Sequence, residues 1–361
     1  MPKKTKKGLT YARTGVVAKD AEASFKTLIA WVNKTLQNRP EVKTEVGLYA
    51  TVIDIGHGQG LALSTDGVGT KLFIAQMLGR FDTVGIDCVA MNVNDLICVG
   101  ARPMAMLDYI AIQNARHPLL GELGQGLYHG ALQAGITIPA GEVAQLKEMV
   151  RGLKPGIGFD LVGTAVGLVD LNKLVVGQGI EEGDAVVGLA SSGLHSNGYT
   201  LARKVLLSKF KLSQRPKGLG RTLGEELLEP TRIYVKPALQ MLERCSVKAL
   251  IHITGEGYRN LRRIRSAAGF VLDRFPEIPP IFKLIQKEGG IENTEMAHTF
   301  NLGIGLCVVV PRPEAEEVIR ISREFGIPAQ VIGHAVKDPE KKIVMPSLKV
   351  VGKSDRFHEE S

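Results

Sequence analysis

The stretch TVGIDCVAMNVNDLICVG, Thr83 to Gly100, is almost wholly apolar yet carries Asp87, Asn94 and Asp95. Val89, Val93, Leu96 and Ile97 recur at helical spacing, and Gly100 is placed to cap the C-terminal end. At 3.6 residues per turn Asp87 and Asn94, seven apart, point in nearly the same direction, with Asp95 beside them. A helix this apolar is expected to be buried, and buried carboxylates require partners or a metal. The competing reading makes Asp87 an N-terminal cap and leaves the rest exposed.

Immediately upstream lies STDGVGTKL, Ser64 to Leu72. The apolar residues before it read as a strand ending at Ser64 or Thr65. Gly67 and Gly69 then allow a sharp turn and close approach of the backbone to a ligand. Lys71 is suited to phosphate oxygens and Asp66 to a divalent cation that bridges them. The alternative is a hairpin turn with an exposed lysine. A Walker loop is excluded, because GxxxxGK[ST] is absent.

Further out, Tyr49–Leu63 reads as two strands joined through GHGQG, and Phe25, Leu28, Ile29, Val32 and Leu36 mark an earlier helix. Downstream follow a strand PMAMLDYIAI, a glycine-spotted helix HPLLGELGQGLYHGALQAG, and a strand FDLVGTAVGLV. Glu142 in PAGEVAQ follows a strand-like ITI, and Asp160 opens the last strand. A glycine-rich stretch at Gly177–Gly183 marks a boundary. Beyond it the pattern restarts with a strand DAVVGLA, a helix from Tyr199 and a proline-marked helix from Pro230. NLGIGLCVVV (strand), PEAEEVIRISREFG (helix) and AQVIGHA (strand) complete it, and KSDRFHEES reads as a frayed tail. The expected fold is α/β (α+β) in two domains, 1–174 and 175–361.

Two loops of the second half attract attention. SSGLHSNGY, Ser191 to Tyr199, follows a strand and opens a helix, so its small residues offer backbone N–H groups to an anion around His195. HITGEGYRN, His252 to Asn260, repeats the plan of strand, glycine turn and helix, with His252 and Thr254 on one side. A strand histidine of this kind is equally read as structural.

Composition narrows the classes. The chain has 361 residues and a formal net charge of +8. No apolar run reaches the roughly 18–20 residues that span a bilayer. The basic start has no apolar segment behind it, so no secretory signal is read and a cytoplasmic location is expected. Cys88, Cys98, Cys245 and Cys307 form no CxxC pair and are expected as buried thiols. The basic residues are scattered, apart from the first seven positions and RNLRRIR, and lack interleaved aromatics, which argues against nucleic acid and for small phosphorylated substrates. GxSxG, HExxH and a Rossmann GxGxxG are missing.

STDGVGTKL, DTVGIDCVAMNVNDL, LDYIA, GEVA, FDLVGTAVGLV, SSGLHSNGYTLARK, EPTRIYVK, HITGEGY and EMAHTFNLGIG stand in the order found in aminoimidazole ribonucleotide synthetases. From Thr10 to Ala335 the chain resembles that family, also called phosphoribosylformylglycinamidine cyclo-ligases, and its archaeal-type branch most. The resemblance implies ATP-dependent ring closure of formylglycinamidine ribonucleotide in purine synthesis. It further implies a homodimer in which N-terminal sheets pair into a barrel, with ATP near the interface and no nucleic-acid or membrane partner. Carried onto this chain, it makes Asp66, Asp95 and Glu142 candidate ligands of Mg2+. Asp66, Gly67, Gly69, Thr70, Lys71 and Asn94 become the nucleotide seat, and Gly193, Ser196, Asn197, Gly198, Thr254 and Gly255 the substrate seat. Lys71 would steady the transferred phosphoryl group, and His195, then His252, would move protons or stabilise an oxyanion.

Two departures from the family pattern stand out. Ala140 and Val143 flank Gly141-Glu142 where the family has glycine and threonine. Glu256 interrupts a run of glycines. Within the superfamily, thiamine-monophosphate kinase is the nearest rival; outside it, a catalytically silent basic binding protein is the alternative.

Overall fold

The computed structural model describes residues 19–116 and 118–360. The first half contains α1 (Lys19–Asn33), the hairpin β1 (Thr51–Asp54) and β2 (Gln59–Gly67), α2 (Leu72–Leu78) and α3 (Val84–Ile97). β3 (Arg102–Ile112), α4 (Leu119–Ala134), β4 (Thr137–Gln145) and β5 (Phe159–Asp170) complete it. The five strands form one sheet in the order β1-β2-β5-β3-β4. All pairs are antiparallel except β3–β4, whose parallel pairing needs the α4 crossover.

One face of this sheet lies on α3. Val84, Cys88, Val89, Val93, Leu96 and Ile97 are all buried, as the wide apolar surface of this helix requires. The glycines of α4 explain how α3 fits. A Cβ on Gly126 would stand 2.4 Å from the Asp82 carbonyl, and one on Gly85 2.3 Å from the Leu127 nitrogen. The two helices therefore meet backbone to backbone.

The second half contains β6 (Ala185–Ala190), α5 (Tyr199–Leu206), α6 (Leu223–Leu228), α7 (Val235–Arg244), β7 (Ala249–His252) and β8 (Ala268–Val271). α8 (Pro280–Gly289), α9 (Asn293–Thr299), β9 (Ile304–Val310), α10 (Ala315–Glu324) and β10 (Ala329–Lys337) follow. The chain closes with β11 (Ile343–Met345), β12 (Val350–Lys353) and β13 (Arg356–Glu359). Its sheet runs β13-β12-β11-β8-β10-β6-β9-β7. The 174/175 division falls in the segment between the last strand of the first sheet and the first of the second.

Four expectations change. β2 runs through Gly67, so Asp66 lies within the strand rather than in a turn. The helix expected from Pro230 begins at Val235, because the backbone of the preceding residues is bonded to α3, as described below, rather than within a helix. The expected frayed tail is the β12–β13 hairpin, in register from Val350↔Glu359 to Lys353↔Arg356, with Phe357 buried. Finally, α1 has the expected helical spacing, but Phe25, Leu28, Ile29, Trp31 and Val32 are exposed. Cys88, Cys98 and Cys307 are buried thiols as expected, whereas Cys245 is only half-buried. Among the described residues no helix is long and apolar enough to cross a membrane.

Gly126→Val should lower the urea midpoint by an amount worth roughly 1–3 kcal/mol or more, since neither helix backbone can retreat. Gly124→Ala on the same helix, where a Cβ meets open space, should instead stabilise by up to about 1 kcal/mol.

Candidate active site

The polar side of α3 faces the second half of the chain, where Asp87 and Asn94 share the Thr231–Tyr234 segment and Asp95 meets His252. Asp87 is fully buried. Its Oδ1 accepts from Lys71 Nζ (2.8 Å), Thr231 N (2.7 Å), Thr231 Oγ1 (2.6 Å) and Ser196 Oγ (3.3 Å). One turn-pair further on, the Asn94 amide donates to the Arg232 carbonyl at 2.9 Å and accepts from Tyr234 N at 2.9 Å. These bonds tie the irregular segment Thr231–Tyr234 to α3. Next to Asn94, Asp95 Oδ1 accepts from His252 Nδ1 at 2.9 Å. Asn92, which the sequence reading passed over, clamps the backbone of Asp66: its Oδ1 accepts from Asp66 N and its Nδ2 donates to Asp66 O.

Lys71 is not offered to a phosphate. It is completely buried, with Nζ on Asp87 and on the Glu229 carbonyl at 2.5 Å, and over the Tyr199 ring. Burial pushes the Asp87 carboxyl up and the Lys71 ammonium down, and their mutual attraction opposes both. The pair acts as an internal cross-link between the α2 entrance and α3. Ser196 and Asn94 are likewise committed to protein partners, which removes them as free contacts for phosphate or nucleotide.

The remaining candidates gather along the same seam. Thr70 Oγ1 lies 3.0 Å from Thr200 Oγ1, at the start of α5. Thr254 N donates to Asn260 Oδ1, and the Cα hydrogens of Gly255 face Asn197, whose Oδ1 would be 3.0 Å from a Cβ there. Gly193 and Gly198 belong to the loop that carries His195, and Gly69 has the left-handed φ of +70° that glycine permits. Tyr49, also unanticipated, bridges the halves by donating to the carbonyls of His252 (3.1 Å) and Asn260 (3.3 Å).

His195 adopts φ +65°, the left-handed region that is uncommon for a residue with a Cβ. Its Nε2 accepts from Ser192 N at 3.2 Å, so a neutral ring carries its proton on Nδ1, a buried donor with no partner. Burial, and then the nearby His252, Lys71 and Arg232, hold its pKa well below the usual histidine range. A neutral hydrogen-bond donor results. His252 is the complement. Its Nδ1 is oriented by Asp95, which leaves Nε2 buried and unpaired.

Asp66 and Asp95 are neighbours. Burial, and then the Asp95 charge, raise the Asp66 carboxyl to about 6. Two hard carboxylates that repel each other suit Mg2+, which takes one or two protein oxygens and leaves the rest to phosphate and water. Glu142 does not join them. Asp66↔Gly163 and Gly163↔Asp108 place the Asp66 row on the α3 side, whereas Glu142 pairs with Tyr109 on the opposite, open face. It also lies three strands away, roughly 14 Å. Ala140 pairs with Leu107 on that open face and is exposed, so its methyl meets no crowding. Glu256 is neutralised by Arg259 Nη1 (3.3 Å) and Arg263 Nη2 (3.1 Å). The widest cavity described, about 580 Å³, lies elsewhere along the seam, lined by Leu168, Lys173, Leu239 and Leu242, and contains none of these groups.

Residues 47–169 match the family model described as AIR synthase related protein, N-terminal domain, and residues 181–346 the corresponding C-terminal domain. The phosphoribosylformylglycinamidine cyclo-ligase of Methanocaldococcus jannaschii is 44% identical over 96% of both chains. That of Pyrococcus furiosus is 46% identical over 88% of this chain and 92% of its own. Among solved structures, AaThiL complexed with AMPPCP and TMP superposes with a TM-score of 0.62 at 18% identity, covering 91% of this chain and 95% of that one. The HypE–HypF complex gives 0.62 at 19%, covering 91% and 99%. At such identities these structures speak to the fold alone.

Lys71→Met should cost about 3–5 kcal/mol in chemical denaturation, because it strands a buried carboxylate. Lys71→Met combined with Asp87→Leu should recover part of that loss, which two independent sites would not do.

Proposed function

The chain belongs to the AIR synthase-related family, its two domain models covering most of the sequence, and from that premise we propose that it is an ATP-dependent cyclo-ligase. It closes formylglycinamidine ribonucleotide to aminoimidazole ribonucleotide, releasing ADP and phosphate. The observation that carries this reading is the 42–46% identity, across most of the chain, with several archaeal proteins bearing that name. The geometry of the α3 seam is suited to the chemistry.

The γ-phosphoryl group of ATP passes to the formyl oxygen, making it a leaving group. The amidine nitrogen then attacks the formyl carbon, the C–O bond breaks with release of phosphate, and the nitrogen loses a proton. His252, aligned through Nδ1 by Asp95, has Nε2 free to take that proton. His195, neutral, presents Nδ1–H to the developing negative charge. Asp66 and Asp95 would hold Mg2+, which neutralises triphosphate charge when bound. Gly193, Asn197, Gly198, Thr254 and Gly255 form the wall against which the substrate rests. Thr70, Gly67 and Gly69 border it on the nucleotide side.

A homodimer fits the open face of the first sheet. Leu107 and Tyr109 project from it exposed, and Met104 near its edge is exposed as well, an apolar area of the kind that a second copy covers. Pairing of two such sheets would bring Glu142 against the partner.

With purified protein, Mg2+, ATP and formylglycinamidine ribonucleotide, imidazole product should form. Asp95→Ala and His252→Gln should each lower kcat by roughly 10²–10⁴ while the proteins remain folded. ATP turnover without imidazole product would place the chain with a sister phosphotransferase instead. Leu107→Asp should halve the mass measured by light scattering; an unchanged mass would exclude the open sheet face as the interface.

A further inference from the structure

Arg232 is held where an anion should be. Its backbone has almost no freedom, because Thr231 N and Tyr234 N donate to Asp87 and Asn94, and its own carbonyl accepts from Asn94. Ser192 Oγ donates to the Pro230 carbonyl at 2.5 Å, which presses the His195 loop against the same segment. The guanidinium is partly buried, and its Nε is shut off from solvent without a hydrogen-bond partner.

Four arginines near the seam are ion-paired, whereas Arg203, which lies over the Phe73 ring, and Arg262 each have a buried nitrogen without a partner, as Arg232 does. Arg259 and Arg263 meet Glu256, Arg221 meets Glu226 and Glu229, and Arg265 meets Glu45. Among the described residues no carboxylate reaches Arg232. The titratable groups that feel its charge are His195, which can only add positive charge, and the buried Tyr234 hydroxyl, which donates to the Ala190 carbonyl. An uncompensated cation in a partly desolvated place is costly, and protein structures retain one where a ligand supplies the counter-charge.

Two donors here lack partners, Arg232 Nε and the Nδ1–H of His195, and the Arg232 charge reaches His195. The planar fork of a guanidinium matches two oxygens of a tetrahedral anion. We infer that Arg232, seconded by His195, is the receptor for a phosphoryl group of the reactants. Which phosphoryl group rests on the cyclo-ligase reading: the substrate's ribose phosphate, or the group leaving ATP. The anion site itself does not rest on that reading.

The full chain is titrated calorimetrically with inorganic phosphate, without substrate. Wild type should bind it, and Arg232→Met should bind roughly tenfold to a hundredfold more weakly. Arg232→Lys, which keeps the charge but loses the fork, should fall between and decides the matter if Arg232→Met does not fold. Arg320→Met, a surface control whose partners Glu317 and Glu324 keep Arg244 and Gln240, should match wild type. Absence of phosphate binding by wild type, or binding unchanged in both Arg232 variants, overturns the proposal.

Turnover of Arg232→Lys separates the two sources. A raised KM for formylglycinamidine ribonucleotide at constant kcat assigns the ribose phosphate, and a lowered kcat at constant KM assigns the transferred group. Unchanged constants overturn the proposal. Wild type that binds phosphate through Arg232 yet makes no imidazole would sink the cyclo-ligase reading alone.

Discussion

A carboxylate buried in an apolar helix must be satisfied by donors, and the way Asp87 is satisfied organises this molecule. Its donors come from the loop after β2, the segment before α7 and the loop before α5. The desolvation of a charged group is large enough that these segments cannot drift from α3 without leaving it unpaired. Asn94, two turns on, repeats the constraint with an amide that serves both a donor and an acceptor of the opposite domain. A single helix thereby sets the relative position of the two halves and of the loops between them.

The chemistry follows from what this framework leaves unfinished. Lys71, Ser196 and Asn94 are bonded to distant segments of the protein and so hold the loops of the site in place. Asp66, Asp95, His195, His252 and Arg232 are placed just as firmly, yet each retains a face, a lone pair, a proton or a charge without a partner. The two histidines show how position assigns roles. One is held neutral by burial and then by neighbouring cations, with its proton on Nδ1; the other leans on Asp95 through Nδ1 and leaves Nε2 unpaired.

Much of this was legible in residue patterns. The buried helix with Asp87 and Asn94 on one side, the hairpin before it, the glycine loops around His195 and after His252, and the restart beyond Gly177 all rest on local periodicity and turn chemistry. Other features had signals that went unread. Thr222 and Glu225 form a capping box that announces α6, and Asn92 is another polar residue in the apolar helix. The β12–β13 hairpin was hidden because four-residue strands with one inward aromatic carry too short a pattern to distinguish from a tail.

The sequence by itself determined the elements, the two-part α/β plan and the pool of polar residues that a buried helix would have to place, because helical and strand periods are local properties of the chain. Tertiary structure alone decided which of those residues are consumed and which are available. Lys71 is 16 residues from Asp87 but 158 from Glu229, and only the fold brings that carbonyl to it. Glu142 looks equivalent to Asp66 as a loop or strand acid, yet the pleat sends it to the other face of the sheet. Whether a charge is paired, exposed or left waiting depends on contacts between distant segments, and no spacing along one segment records them.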